Sequence, residues 1–213
     1  MSARIVVLVS GSGSNLQAIV DACDEGRLDA SVVGVISNKK QAYGLIRAEQ
    51  AGVPARWLSS RPFRDELNAQ QGRERYDKHL AEQVETWSPD LVVLAGFMRI
   101  LSAGFIRQFK GRLINLHPAL PGQFPGIRAI ERALRAANTE GIQETGVMIH
   151  HVIEEVDAGP VVACERVPIT AEDDLESLSA RIHAVEHRLL VDAIDTLLTD
   201  ARTKQTSNTI REV

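Results

Sequence analysis

Residues 114–126 of this sequence read "INLHPALPGQFPG", and two of them have the types and spacing to do chemistry. In a strand, Asn115 and His117 project from the same face, and Pro118 turns the chain away where no ladder donor is needed. An amide donor beside an imidazole can stabilise an oxygen that becomes negative during acyl transfer, and the imidazole can also move a proton near neutral pH. The same spacing would serve an asparagine and a histidine satisfied inside a core. A carboxylate follows in "EEVDAGPV". Beside His117, Asp157 would orient the imidazole, stabilise the imidazolium and raise its pKa; read alone, it is a turn residue.

A second stretch, "SGSGSNLQAI" at residues 10–19, lies between an apolar strand pattern and an apolar helix pattern. The first N–H groups of a helix have no internal partner, and the helix dipole there favours an anion. Gly11 and Gly13 allow close approach of the backbone, while Ser12, Ser14 and Asn15 add donors, which suits one phosphate group. A tight turn with a serine or asparagine cap would use the same composition. The dinucleotide fingerprint needs a third glycine where Leu16 stands, which argues against a dinucleotide.

Metal chemistry has one candidate, "HAVEH" at residues 183–187, which fits the H-x-x-E-H pattern of inverted zinc proteases. No second motif offers a third ligand, and Val185, Leu189 and Leu190 mark the segment as part of a core helix. The adjacent His150 and His151 face opposite sides of a strand and cannot share a metal ion. Cys23 and Cys164 read as separate reduced thiols. The expectation is no metal.

To position these groups, the chain supplies "RIVVLVS", "SVVGVIS", "DLVVLAGF" and "RLINLH", each followed by a helical pattern. Strands apolar on both faces and alternating with helices indicate a parallel sheet covered on both sides. A polar helix from about Arg64 to Trp87 fits the same plan. The two β-rich runs around "DAGP" predict a late strand pair, and apolar residues from Leu175 to Leu197 predict a closing amphipathic helix between Asp173 and Thr199. The expected fold is a single-domain α/β structure: an open, mostly parallel (Rossmann-like) sheet with helices on both faces and a late antiparallel strand pair. It should span residues 1–200, with a disordered polar tail at 201–213.

The chain has 213 residues, 44% hydrophobic and 24% charged, with a net charge of -4. One sizeable core is therefore expected. The charge balance argues against a nucleic-acid or membrane partner. Neither a signal peptide nor a membrane span is expected, and the reduced thiols suit a cytoplasmic location.

In this order and at these separations, "VLVSGSGSNLQAI", "LVVLAGFMRILS", "INLHP" and "EEVDAGPV" closely resemble the folate-dependent phosphoribosylglycinamide formyltransferases, from about residue 4 to about 200. The resemblance implies an enzyme of de novo purine biosynthesis with two small-molecule substrates, glycinamide ribonucleotide and 10-formyltetrahydrofolate. It implies that Gly13, Ser14 and Asn15 hold the ribonucleotide phosphate and that Glu186 lies near the ribonucleotide. Arg73, Met98, Arg99, Ile100, Leu101 and Asn115 would contact the folate. His117 would be the catalytic acid, Asp157 its partner, and Asn115 a co-stabiliser of the oxyanion. Ala119, Arg128 and Met148 depart from the pattern, which bears on the loop over the site. Methionyl-tRNA formyltransferase and formyltetrahydrofolate deformylase share the Asn-x-His and Asp signature but carry further domains. A non-enzymatic binder of a phosphorylated metabolite would use the glycine loop alone.

Overall fold

The computed structural model describes residues 2–65 and 67–211, with the side chains of the last helix described as far as residue 203. Its centre is β1 (Ala3–Val9), in which every residue but Arg4 is buried. A strand of this kind needs helices on both faces of the sheet. They are supplied by α1 (Ser14–Asp24), α2 (Tyr43–Gln50), α3 (Ala69–Glu85), α4 (Ala103–Gln108), α5 (Ala129–Glu140) and α6 (Leu175–Arg211). The strands β2 (Ala30–Ser37), β3 (Ala55–Trp57), β4 (Leu91–Leu94), β5 (Leu113–His117), β6 (Glu144–His151) and β7 (Val161–Pro168) complete a seven-stranded sheet in the order β3-β2-β1-β4-β5-β6-β7. Pairing is parallel from β3 to β5 and antiparallel from β5 through β7.

Two apolar layers sandwich this sheet. Alternate residues of β1 divide between them: Ile5, Val7 and Val9 pack with residues of α1 and α6, while Val6 and Leu8 pack with residues of α3 and α4. The single-domain α/β expectation holds, with three differences in detail. The expected helix from Arg64 starts only at Ala69, where Asn68 accepts a hydrogen bond from the Gln71 N–H, and a 3-10 turn at Arg61–Phe63 precedes it. Asp65 accepts from the N–H groups of Leu67 and Asn68, and so builds a local turn where the periodicity suggests helix. The short edge strand β3 carries no signal strong enough to be read from its three residues.

The third difference concerns α6. It begins at a reciprocal capping box in which the Asp174 carboxylate accepts from the Ser177 N–H and the Ser177 hydroxyl accepts from the Asp174 N–H. Leu178, Ile182, Leu189, Leu190 and Ile194 are buried. The helical backbone runs on to Arg211, into the polar stretch from residue 201.

Parallel pairing of β1, β4 and β5 brings their carboxyl ends to one edge of the sheet. Asn115 and His117 arrive there beside the loops that follow β1 and β4, and the loop between β6 and β7 closes the same corner. In an open α/β sheet ligands bind at this edge.

Candidate active site

The strand end delivers Asn115 and His117 to a common face, and the antiparallel register sets His150 opposite Asn115 and Met148 opposite His117. Asp157 reaches the same point from the β6–β7 loop, held at φ 53. That left-handed conformation is costly for a non-glycine residue and persists only where the surroundings dictate it. The His117 Nδ1 lies 3.3 Å from Asp157 Oδ2, and both side chains are nearly closed to solvent. The Gly126 N–H donates to Asp157 Oδ2 at 2.8 Å, which ties the loop after Pro118 to the same carboxylate.

The protons can be followed atom by atom. The Asn115 Nδ2 lies 3.1 Å from both Asp157 Oδ1 and the His150 Nε2. The His150 Nδ1 lies 3.0 Å from its neighbour's carbonyl oxygen, that of His151. A carbonyl only accepts, so the His150 Nδ1 donates to it, and Nε2 faces both the Asn115 amide and Asp157 Oδ1, 3.7 Å away. The Asn115 amide thus donates to Asp157 and lies against the His150 ring, which orients its side chain. His150 is 2% exposed. Sequence reading assigned it no role; its signal was the pairing of strands β5 and β6, which no spacing along the chain reveals.

His117 titrates below the ordinary histidine range because burial disfavours its charged form; Asp157 and the carbonyls of Gln123 and Phe124 offset this only in part. Asp157 raises the His117 pKa as expected, but desolvation outweighs the carboxylate and the net shift is a fall. Burial alone would raise Asp157, but His150, the Gly126 N–H and His117 together hold it below the usual carboxylate range. At neutral pH the pair is a carboxylate beside a neutral imidazole. The His117 Nε2 has no hydrogen-bond partner although it is buried.

These groups line an open cleft of about 280 Å³. Met98, Arg99, Ile100 and Leu101 form one wall, with Met98 62% and Ile100 55% exposed. Arg73 lies elsewhere: it is exposed on α3 and is not among the residues lining the cleft. Arg128 does line it and stands at φ 57 at the start of α5.

The glycine loop adjoins this cleft. Gly13 precedes α1 at φ 72, and no side chain caps the helix. The Gly44 N–H donates to the Gly11 carbonyl at 3.1 Å, and the Arg47 Nε donates to the Ser12 carbonyl at 2.9 Å. The backbone is therefore braced from below by α2. Ser14 lines a second cleft of about 490 Å³ that runs between α1 and α6. Asn15 turns inward, its Nδ2 donating to Glu186 Oε2 at 2.9 Å, and its Oδ1 is buried without a partner. Burial pushes Glu186 above the usual carboxylate range despite the Asn15 bond. Among the described residues, no group of three His, Cys, Asp or Glu side chains is placed to hold a metal ion.

The model of the family described as formyl transferase matches residues 3–194. The chain belongs to the formyl transferase family. This formyl transferase is 48% identical over 205 residues to the phosphoribosylglycinamide formyltransferase of Schizosaccharomyces pombe, covering 94% of this chain and 99% of that one. It is 42% identical to the Escherichia coli enzyme of the same name, covering 87% and 82%. The crystal structure of phosphoribosylglycinamide formyltransferase from Bacillus halodurans superposes with a TM-score of 0.83 at 36% identity, covering 93% of this chain and 96% of that one.

Proposed function

We propose that this formyl transferase moves the formyl group of 10-formyltetrahydrofolate to the amine of glycinamide ribonucleotide, a step of de novo purine biosynthesis that suits a cytoplasmic location. The observation that carries the reading is the buried His117 beside the partly buried Asn115 and Asp157 at the strand end, next to an open apolar cleft and an uncapped glycine loop. The loop takes the ribonucleotide phosphate through Gly13 and Ser14, and Glu186 lies behind it. The 98–101 wall takes the folate ring system.

The uncharged amine attacks the formyl carbon, and the carbonyl oxygen becomes an oxyanion. His117, neutral before the reaction, takes the ammonium proton of the tetrahedral intermediate on Nε2, and Asp157 stabilises the imidazolium so formed. That proton then passes to N10 of the folate as the C–N10 bond breaks, giving the formamide and tetrahydrofolate. The Asn115 amide, which now donates to Asp157, donates to the oxyanion. Neither a metal nor a covalent enzyme intermediate enters this scheme.

The test is a spectrophotometric assay of tetrahydrofolate product in which each substrate is omitted in turn, with a parallel run containing chelator. Product only with both substrates present, unchanged by chelator, supports the transferase. Release of product without the ribonucleotide would identify a hydrolase, and chelator-sensitive product would require a metal.

A further inference from the structure

The wall formed by residues 96–102 belongs to no helix or strand, so its shape depends on where its backbone groups find partners. At one end the Met98 N–H donates to the Ser10 hydroxyl at 2.7 Å, and the Gly96 carbonyl accepts from the Ser10 N–H at 3.1 Å. At the other end the Ser102 N–H donates to Asp77 Oδ2 at 2.7 Å, and the Arg99 Nε donates to Asp77 Oδ1 at 3.0 Å. The Arg99 guanidinium also lies 4.1 Å from the centre of the Tyr76 ring. Asp77 is 0% exposed and sits on α3, which contributes no residue to the cleft lining.

A buried carboxylate must be matched by strong donors, and a charge left alone in the interior is costly. Both oxygens of Asp77 are used on the same loop, one by a backbone N–H and one by the side chain three residues before it. Between these anchors Ile100 is held 55% exposed, and Met98 just outside them is 62% exposed. Burial does not explain apolar side chains held outward in this way; a cleft that takes an apolar ligand does.

We propose that Asp77 is a positioning residue of the donor site: without touching substrate, it clamps Arg99 and Ser102 so that Met98, Ile100 and Leu101 present a preformed wall to the folate ring system. The identity of that ligand rests on the reading given under Proposed function. Arg99 then serves the donor mainly through its backbone, since its Nε is committed to Asp77.

Asp77→Asn keeps the shape but loses the charge and one of the two acceptor oxygens. The expected result is a donor KM raised about tenfold or more, an acceptor KM within about twofold of wild type, and faster hydrogen exchange confined to residues 96–102. Glu85→Gln is the control: it removes another α3 carboxylate, paired to Arg112 at 2.7 Å away from the cleft, and should leave both KM values unchanged. If Asp77→Asn does not fold, Asp77→Glu, which keeps the charge beside Arg99 but displaces its oxygens by a methylene, should show the same split. Loss of stability with both KM values unaltered, or equal rises in both, would overturn the proposal. So would unchanged exchange in the 96–102 loop. Wild-type protein that makes no product from the two substrates would sink the functional reading instead, and the exchange comparison would still decide whether Asp77 holds the loop.

Discussion

The surroundings of His117 pull its titration in opposite directions. Burial keeps the imidazole neutral, while Asp157, 3.3 Å away, waits for the charge that a proton transfer creates. His117→Ala removes a side chain whose Nε2 makes no internal hydrogen bond, so circular dichroism and ribonucleotide affinity should stay as in wild type while kcat falls by about 10² or more. A collapsed spectrum would instead make His117 a structural residue. The pH dependence follows with a definite sign. The proton acceptor must be neutral, so kcat/KM should fall as pH drops through the His117 pKa, which lies below the ordinary histidine value. Asp157 raises that pKa by stabilising the imidazolium, so Asp157→Asn should move the acid limb to still lower pH while lowering the plateau. A limb that moved to higher pH would mean that the titrating group is not His117.

At the scale of elements, the site depends on how loops are held by the helices beneath them, as the glycine loop shows. Gly13 stands at φ 72, and a Cβ there would lie 2.5 Å from the Gly44 Cα at the start of α2. Gly13→Ala therefore strains the backbone and pushes the loop off α2; it should cost about 1 kcal/mol or more in a denaturant melt and raise the acceptor KM, with the donor KM unchanged. An acceptor KM equal to wild type would show that the loop does not hold the ribonucleotide. The same contrast between local pattern and tertiary support governs what could be read from the sequence. The strands β1, β4 and β5 announced themselves as unbroken apolar runs, and the two-residue spacing of Asn115 and His117 put them on one face. His150 escaped because its role comes from cross-strand register with Asn115, and Asp77 because it lies in a helix that reads as polar all along, "GRERYDKHLAEQ". The net direction of the His117 shift is illegible for a related reason: the carboxylate is visible in the sequence, but the depth of burial that outweighs it is a property of the packed strands.

For the whole molecule, the sheet order places the two proposed half-sites on different strands, with the glycine loop after β1 and the apolar wall after its neighbour β4. They touch through Ser10, whose hydroxyl accepts from the Met98 N–H and donates to Asn38. Two ligands can then sit side by side across the strand ends, each binding only the folded chain. A ligand at about 100 times its dissociation constant adds about 2.7 kcal/mol to stability, which for a domain of this size raises Tm by about 5–10 °C. The ribonucleotide alone and a non-reactive folate analogue alone should each raise Tm by such an amount, and the two together by at least the sum, because the Ser10 bridge lets one occupied loop steady the other. A combined shift no larger than the greater single shift would mean that the ligands exclude one another and share one pocket. Direct transfer from one bound substrate to the other would then be impossible, and the formyl group would have to be carried by the protein between two successive binding events.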